Sequence, residues 1–230
     1  MFCFPCAGGG ASAYRLWADL LPDSIELCAV QLPGRENRLN ETPHRRIEGL
    51  ISALADALEP QLERSYALFG HSMGALIAFE LAHCLRRNRC APPVQLFAAS
   101  APAPHLPRFR AFLHRLPDAA LVVSLRRLGG MPEWVVNEPE LLALVLPTFR
   151  ADLELWESYA YHPRPPLPYP ISVFGGAADT TVKPFELAGW AQHTKQRFAM
   201  RFFSGTHFFV ASEPHALIDA ISSTLLTIPR

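Results

Sequence analysis

Residues 68–82 read LFGHSMGALIAFELA, and Gly70-His71-Ser72-Met73-Gly74 within them fit the pattern G-x-S-x-G. The run before the pattern, YALFG from Tyr66, is short and apolar like a buried strand. The run after it, MGALIAFELAHCLRR, has a helix's length and is apolar nearly all round, as a helix packed on a sheet should be. Strand, pattern and buried helix together are the context in which such a serine becomes a nucleophile. A sharp turn there aims the Ser72 hydroxyl out of the sheet, and it leaves no room for side chains two residues away on either side. Glycine at 70 and 74 removes them. The helix that follows points its N-terminus at the serine, so the Met73 N–H is free to hold a developing oxyanion. The plain alternative is a glycine-rich turn with an incidental serine, and the flanking elements argue against it.

Outward from this point, strand-like and helix-like runs alternate. MFCF opens the chain as a short first strand, clipped or truncated against the motif that follows. SAYRLWADLL has helical spacing, with Tyr14, Trp17, Leu20 and Leu21 on one face. IELCAVQLPG reads as a strand ending at Pro33-Gly34. IEGLISALADALEPQL is an amphipathic helix with Ile47, Leu50, Ile51, Leu54 and Leu58 inward. VQLFAAS, ISVFGG and FAMRFFSG supply three further strands, and PHALIDAISSTLLTI a last helix with Ser212 as its N-cap. Strands separated by helices predict an α/β fold: a mostly parallel sheet covered on both faces. From His105 to Pro168 no core strand is evident. That stretch reads as short helices punctuated by Gly129-Gly130, Pro132 and Pro139, too rich in large apolar residues for a disordered linker. It predicts an inserted helical lid over residues 105–168, with 1–104 and 169–230 forming the core.

A serine hydroxyl needs a base, and nine histidines are available. His207 lies in RFFSGTHFFV, after a late strand and its Ser204-Gly205 turn, where a base in this topology belongs. His215 falls inside the start of the last helix and reads as a surface residue. His71 adjoins Ser72 in sequence, which turns its ring elsewhere into packing or a hydrogen bond. The orienting acid should follow the preceding strand, and Asp179 is the only acid in the loop after Gly175-Gly176; the alternative for it is an Asx-turn. Ser72, Asp179, His207 is the chain order of α/β-hydrolases and of neither trypsin-like nor subtilisin-like enzymes. A second oxyanion donor should come from FPCAGGGAS, with the Ala7 N–H preferred to that of Cys6. Cys6 as a nucleophile lacks a matching turn.

FPCAGGGAS, QLPGRENR from Gln31, FGHSMGALIAFELA, FRADLELWESY from Phe149, FGGAADTTV and FFSGTHFFV occur in that order over almost the whole chain. Together they resemble the type II thioesterases of polyketide and non-ribosomal peptide synthesis, relatives of the mammalian medium-chain fatty-acyl thioesterase. The resemblance implies an α/β-hydrolase fold with a helical lid. It also implies hydrolysis of acyl groups from the phosphopantetheine arm of acyl or peptidyl carrier proteins, with no cofactor and no metal. Matched position by position, Ser72 is the nucleophile, His207 the base and Asp179 its orienting acid, with Met73 and Ala7 at the oxyanion positions. The loop AADTT departs from relatives that carry a proline or a second acid there, though Asp179 is kept.

Within the lid, Leu121, Leu125, Met131, Trp134, Val135, Leu142 and Leu146 could line an acyl channel or simply form the lid's own core. Arg108, Arg110, Arg115, Arg126 and Arg127 could meet a phosphate or an acidic carrier helix, or form a solvated face. Asp152 reads as a capping or structural acid.

Lysine plus arginine and aspartate plus glutamate are 21 each, so the formal net charge is zero. That argues against a nucleic-acid binder, which needs a basic surface. Five cysteines, odd in number and without metal-type spacing, read mostly as buried thiols. No secretory signal and no membrane-length apolar run is evident, so the reading is a cytoplasmic protein, monomeric by default. Three readings compete: a general carboxylester hydrolase or lipase, a cyclising thioesterase domain cut from a synthase, and a non-catalytic carrier-binding module that keeps only the fold.

Overall fold

The structure is a computed structural model describing residues 1–107 and 112–228. The chain runs β1 (Phe2–Phe4), α1 (Trp17–Leu20), β2 (Cys28–Ala29), α2 (Ile47–Leu58), β3 (Ala67–His71), α3 (Met73–Arg87) and β4 (Gln95–Ala99). It continues α4 (Asp118–Arg127), α5 (Glu133–Val136), α6 (Pro139–Glu157), β5 (Ile171–Gly176), α7 (Pro184–Ala188), β6 (Phe198–Phe203), α8 (Phe209–Ser212) and α9 (Pro214–Leu226). The strands form one sheet in the order β2-β1-β3-β4-β5-β6, every pair parallel.

The period of two along each strand sorts side chains onto two faces. Phe2, Phe4, Leu68, Leu96, Ala98, Ile171 and Val173 pack on one side with α2, α3 and Trp190. Cys3, Ala67, Phe69, Phe97, Ala99 and Phe174 pack on the other with Tyr14, Trp17 and the inner face of α9. Burial on both faces explains why these strands read as continuous apolar runs rather than as alternation.

Several elements differ from the sequence reading. IELCAVQLPG yields only Cys28–Ala29 as strand, because its partner β1 is three residues long and offers two register positions. SAYRLWADLL is not one helix but a 3-10 turn, Ala11–Tyr14, followed by the short α1. Tyr14 and Trp17 still face inward, where their rings meet edge-on at 4.9 Å and the Tyr14 hydroxyl donates to the Phe4 carbonyl at 2.7 Å. Ser212 does not cap the last helix: it ends α8, and Glu213 occupies the N-cap with no side-chain bond.

Between β4 and β5 the helices form a separate small core of Leu121, Leu125, Met131, Val135, Leu146, Phe149 and Leu153. Pro139 starts α6 at its first turn, where a missing N–H costs nothing, and the helix then continues through Pro147 for 19 residues rather than stopping. Among the described residues no helix is long and apolar enough to cross a membrane.

Candidate active site

Ser72 stands between β3 and α3 with φ 55°, a left-handed conformation that a serine adopts only where its surroundings impose it. Its N–H is held by the Ala99 carbonyl at 2.8 Å, which ties the turn to β4. A Cβ on Gly70 would land on the Gly74 carbonyl, and one on Gly74 would land on the carbonyl of Phe4. The two glycines thus let β3 double back into α3 and let α3 lie against β1.

Three loops at the C-terminal ends of β3, β5 and β6 meet here. Ser72 Oγ and His207 Nε2 are 3.0 Å apart. His207 Nδ1 lies 2.9 Å from Asp179 Oδ2 and 2.7 Å from the Thr181 hydroxyl, which itself donates to Asp179 Oδ1 at 2.7 Å. Burial alone would raise the Asp179 carboxyl. The hydrogen bond and charge of His207, with the Thr181 hydroxyl and N–H, outweigh it and hold the carboxyl at about 2. An ionised Asp179 accepts the Nδ1 proton and leaves Nε2 bare toward the serine.

His71 donates from Nε2 to the His207 carbonyl at 2.9 Å, and its ring lies 5.5 Å from that of His207. Burial, then the neighbouring His207, lowers His71 to about 3, so it stays a neutral prop for the loop. Phe208 covers both rings edge-on. Thr181 does not follow from the motifs, although the paired threonines of AADTTV were the available signal for it, whereas the His71 bond fits the packing or hydrogen-bonding role read for that residue.

Ser72 opens onto a cavity of about 270 Å³. Ala7 and Met73 line it together with Cys6 and Ser72. Met73 begins α3, where N–H groups have no preceding turn to bond. Burial, then the charge of Asp152, pushes the Cys6 thiol up to about 11, which suits a packed thiol and not a nucleophile. The walls are Phe149, Leu153 and Trp156 of α6, with Leu113, Leu125 and Phe208.

Of the seven apolar residues read as either channel lining or the inserted segment's own core, only Leu125 reaches the cavity. Leu121, Met131, Val135 and Leu146 are buried among themselves, with Leu142 packed against them, and Trp134 is exposed to 65%. Arg126 is paired with Glu133 at 2.8 Å, and Arg115 sits over the Phe112 ring. Arg127 is exposed, while Arg108 and Arg110 lie outside the described residues. His215 is in the first turn of α9, away from the cavity lining. Among the described residues no group of His, Cys, Asp and Glu is arranged to hold a metal.

Residues 1–225 match the family model described as thioesterase domain. The gramicidin S biosynthesis protein GrsT of Aneurinibacillus migulanus is 39% identical over 225 residues, covering 98% of this chain and 88% of that protein. Among solved structures, the RedJ thioesterase from the prodiginine biosynthetic pathway in Streptomyces coelicolor is similar with a TM-score of 0.91 at 42% identity, covering 96% of this chain and 88% of that one. The type II thioesterase BorB from the borrelidin biosynthetic cluster gives a TM-score of 0.89 at 36% identity, covering 96% and 90%.

Proposed function

The chain belongs to the thioesterase family, and from that premise we propose that it is a type II thioesterase clearing acyl groups from the phosphopantetheine arm of carrier proteins. The observation that carries the reading is the Ser72–His207–Asp179 chain of hydrogen bonds, whose Ser72 and His207 line a largely apolar cavity. Ser72 attacks the thioester carbonyl while His207 Nε2 takes its proton, and Asp179 with Thr181 holds the imidazole and stabilises its cation. The oxyanion forms against the N–H groups of Met73 and Ala7. Losing one such donor would cost on the order of 3 kcal/mol of transition-state stabilisation. The pantetheine thiol, with a pKa of about 8.5, then leaves more readily than an alkoxide would. Water activated by His207 hydrolyses the acyl-serine and regenerates the enzyme.

The segment 105–168 acts as the lid, with α6 as the wall that meets the acyl chain. The protein works as a monomer in a reducing cytoplasm, where its free cysteines are stable, and engages the carrier rather than nucleic acid or membrane.

Hydrolysis of one acyl chain should be compared on a holo carrier protein, on a pantetheine mimic and as an oxygen ester, with Ser72→Ala alongside. The reading expects preference for the carrier thioester, lost in the variant. Equal or faster turnover of the oxygen ester would move the protein to the carboxylester hydrolases. Turnover of none of the three would leave a carrier-binding module.

A further inference from the structure

The turn that carries Ala7 is pinned at successive peptide groups, and most of the pins come from outside it. Gly9 N–H donates to the Cys6 carbonyl at 3.0 Å, closing a four-residue turn with Gly8 at φ 72° in its third position, where glycine is favoured. In a trans peptide the carbonyl and the following N–H point in opposite directions. Fixing the Cys6 carbonyl toward Gly9 therefore aims the Ala7 N–H the other way. The next peptide is held by Asp152, whose Oδ2 accepts the Gly8 N–H at 2.8 Å. The Gly9 carbonyl is held by Arg35 Nη1 at 2.9 Å. Arg35 and Asp152 grip each other through two bonds of 2.8 Å, both side chains being buried.

Asp152 does not belong to this turn, nor to the sheet. It lies on α6, 144 residues away, on the helix whose Phe149, Leu153 and Trp156 wall the cavity. Phe149 also closes over Gly8, where a Cβ would strike its ring, and the Thr148 hydroxyl donates to the Gly34 carbonyl beside Arg35. A buried ion pair gains little stability over well-packed apolar side chains, so stability alone is a weak reason for one here.

We propose that Asp152, with Arg35, is a positioning residue for the oxyanion hole, and that the seating of α6 sets whether the Ala7 N–H is correctly aimed. The inference rests on the thioesterase reading above and adds to it a mechanical link from cavity wall to reacting centre. An acyl group or carrier that shifts α6 changes transition-state binding without touching Ser72, His207 or Asp179.

The test uses Asp152→Asn and the double variant Arg35→Met/Asp152→Leu, the latter keeping volume while removing both charges. Each is assayed on an acyl-pantetheine thioester for kcat and KM, and for inhibition by a matching trifluoromethyl ketone, whose adduct places an oxyanion in the hole. Thermal melting checks that the variants fold. The proposal expects kcat to fall roughly tenfold to a hundredfold, part of what a fully lost donor costs. The ketone's inhibition constant should weaken by a similar factor while KM stays within about threefold, following the pattern of an interaction made only in the transition state. If burying an unpaired Arg35 unfolds the single variant, the double variant decides. A folded variant with unchanged kcat and ketone affinity overturns the proposal, as does one in which only KM rises. Absence of turnover by the wild-type protein would instead contradict the thioesterase reading itself.

Discussion

The sheet and the helices inserted between β4 and β5 are held together differently. Strands β1, β3, β4 and β5 bury alternate side chains in two large cores, and the loops bearing Ser72, Asp179 and His207 issue directly from their ends or from that of β6. The inserted helices have one small core of their own, and α6 is fastened below both by apolar packing, with Leu155 buried in the sheet's core and Trp156 against it, and by polar contacts. Asp152 reaches Gly8 and Arg35, Thr148 reaches Gly34, and Arg45 pairs with Glu154 at 2.7 Å. The contrast separates two jobs: the groups that meet within 3.0 Å stand on loops from the sheet, while one wall of the cavity stands on the inserted helices.

The sharpest way to break that division is at the serine. Ser72→Ala should abolish thioester hydrolysis, by about 10⁶-fold if the three residues act as a unit, while leaving the melting temperature nearly unchanged. A variant that melts much earlier would mean Ser72 matters to the fold as much as to the chemistry.

Next in size are two changes in packing. Gly74→Ala drives a Cβ onto the Phe4 carbonyl and should cost about 3 kcal/mol or more, lowering the denaturant midpoint of the whole molecule. Leu121→Ala opens a hole in the inserted helices' small core and should cost about 2–5 kcal/mol locally. Hydrogen exchange should then quicken in α4 and α6 and not in β3, β4 or β5. Equal quickening in both layers would show one cooperative unit.

A smaller effect is expected with pH. Burial is the main reason His71 and His83 are lowered to about 3 and His193 to about 4, and all three lie outside the helices inserted between β4 and β5. In the unfolded chain they take up protons near 6.5. Between about pH 6.5 and 4 the unfolded state binds more protons, so stability is full above that window and is lost on acidification. The slope is up to about 1.4 kcal/mol per pH unit for each histidine. Denaturant midpoints measured from pH 7.5 to 4 would show it, and a flat profile would mean these histidines charge in the folded state. Smallest of all, Trp134→Ala should change stability by no more than about 0.5 kcal/mol and leave kcat and KM on a small thioester unaltered, since the ring is 65% exposed and off the cavity.

The two layers were also unequally legible. Apolar runs placed β3, β4 and β5 because strands buried on both faces are mostly apolar, and FAMRFF placed β6 although as the edge strand it leaves Met200, Arg201 and Phe202 exposed. Chain order then brought forward the three loops that the fold places together. The inserted helices resisted, because period and proline rules see one helix at a time. They could not tell that α6 runs on through Pro147, or that Leu121 and Met131 are buried in the inserted helices' own core rather than lining the cavity. The Asp152–Gly8 bond joins residues with no common periodicity, so only the folded chain reveals it. Thr181 fell between these cases, two residues from Asp179 and visible once the loop's direction was known.

The most direct test of the central claim is to identify which atom takes the acyl group. The protein would be treated with a serine-directed fluorophosphonate, and separately with a slowly hydrolysed acyl-pantetheine thioester, then digested and mapped by mass spectrometry. Both labels are predicted on the peptide carrying Ser72, and neither on the same peptide of Ser72→Ala. A label on Cys6, or none on a protein that still turns over thioester, would contradict the account.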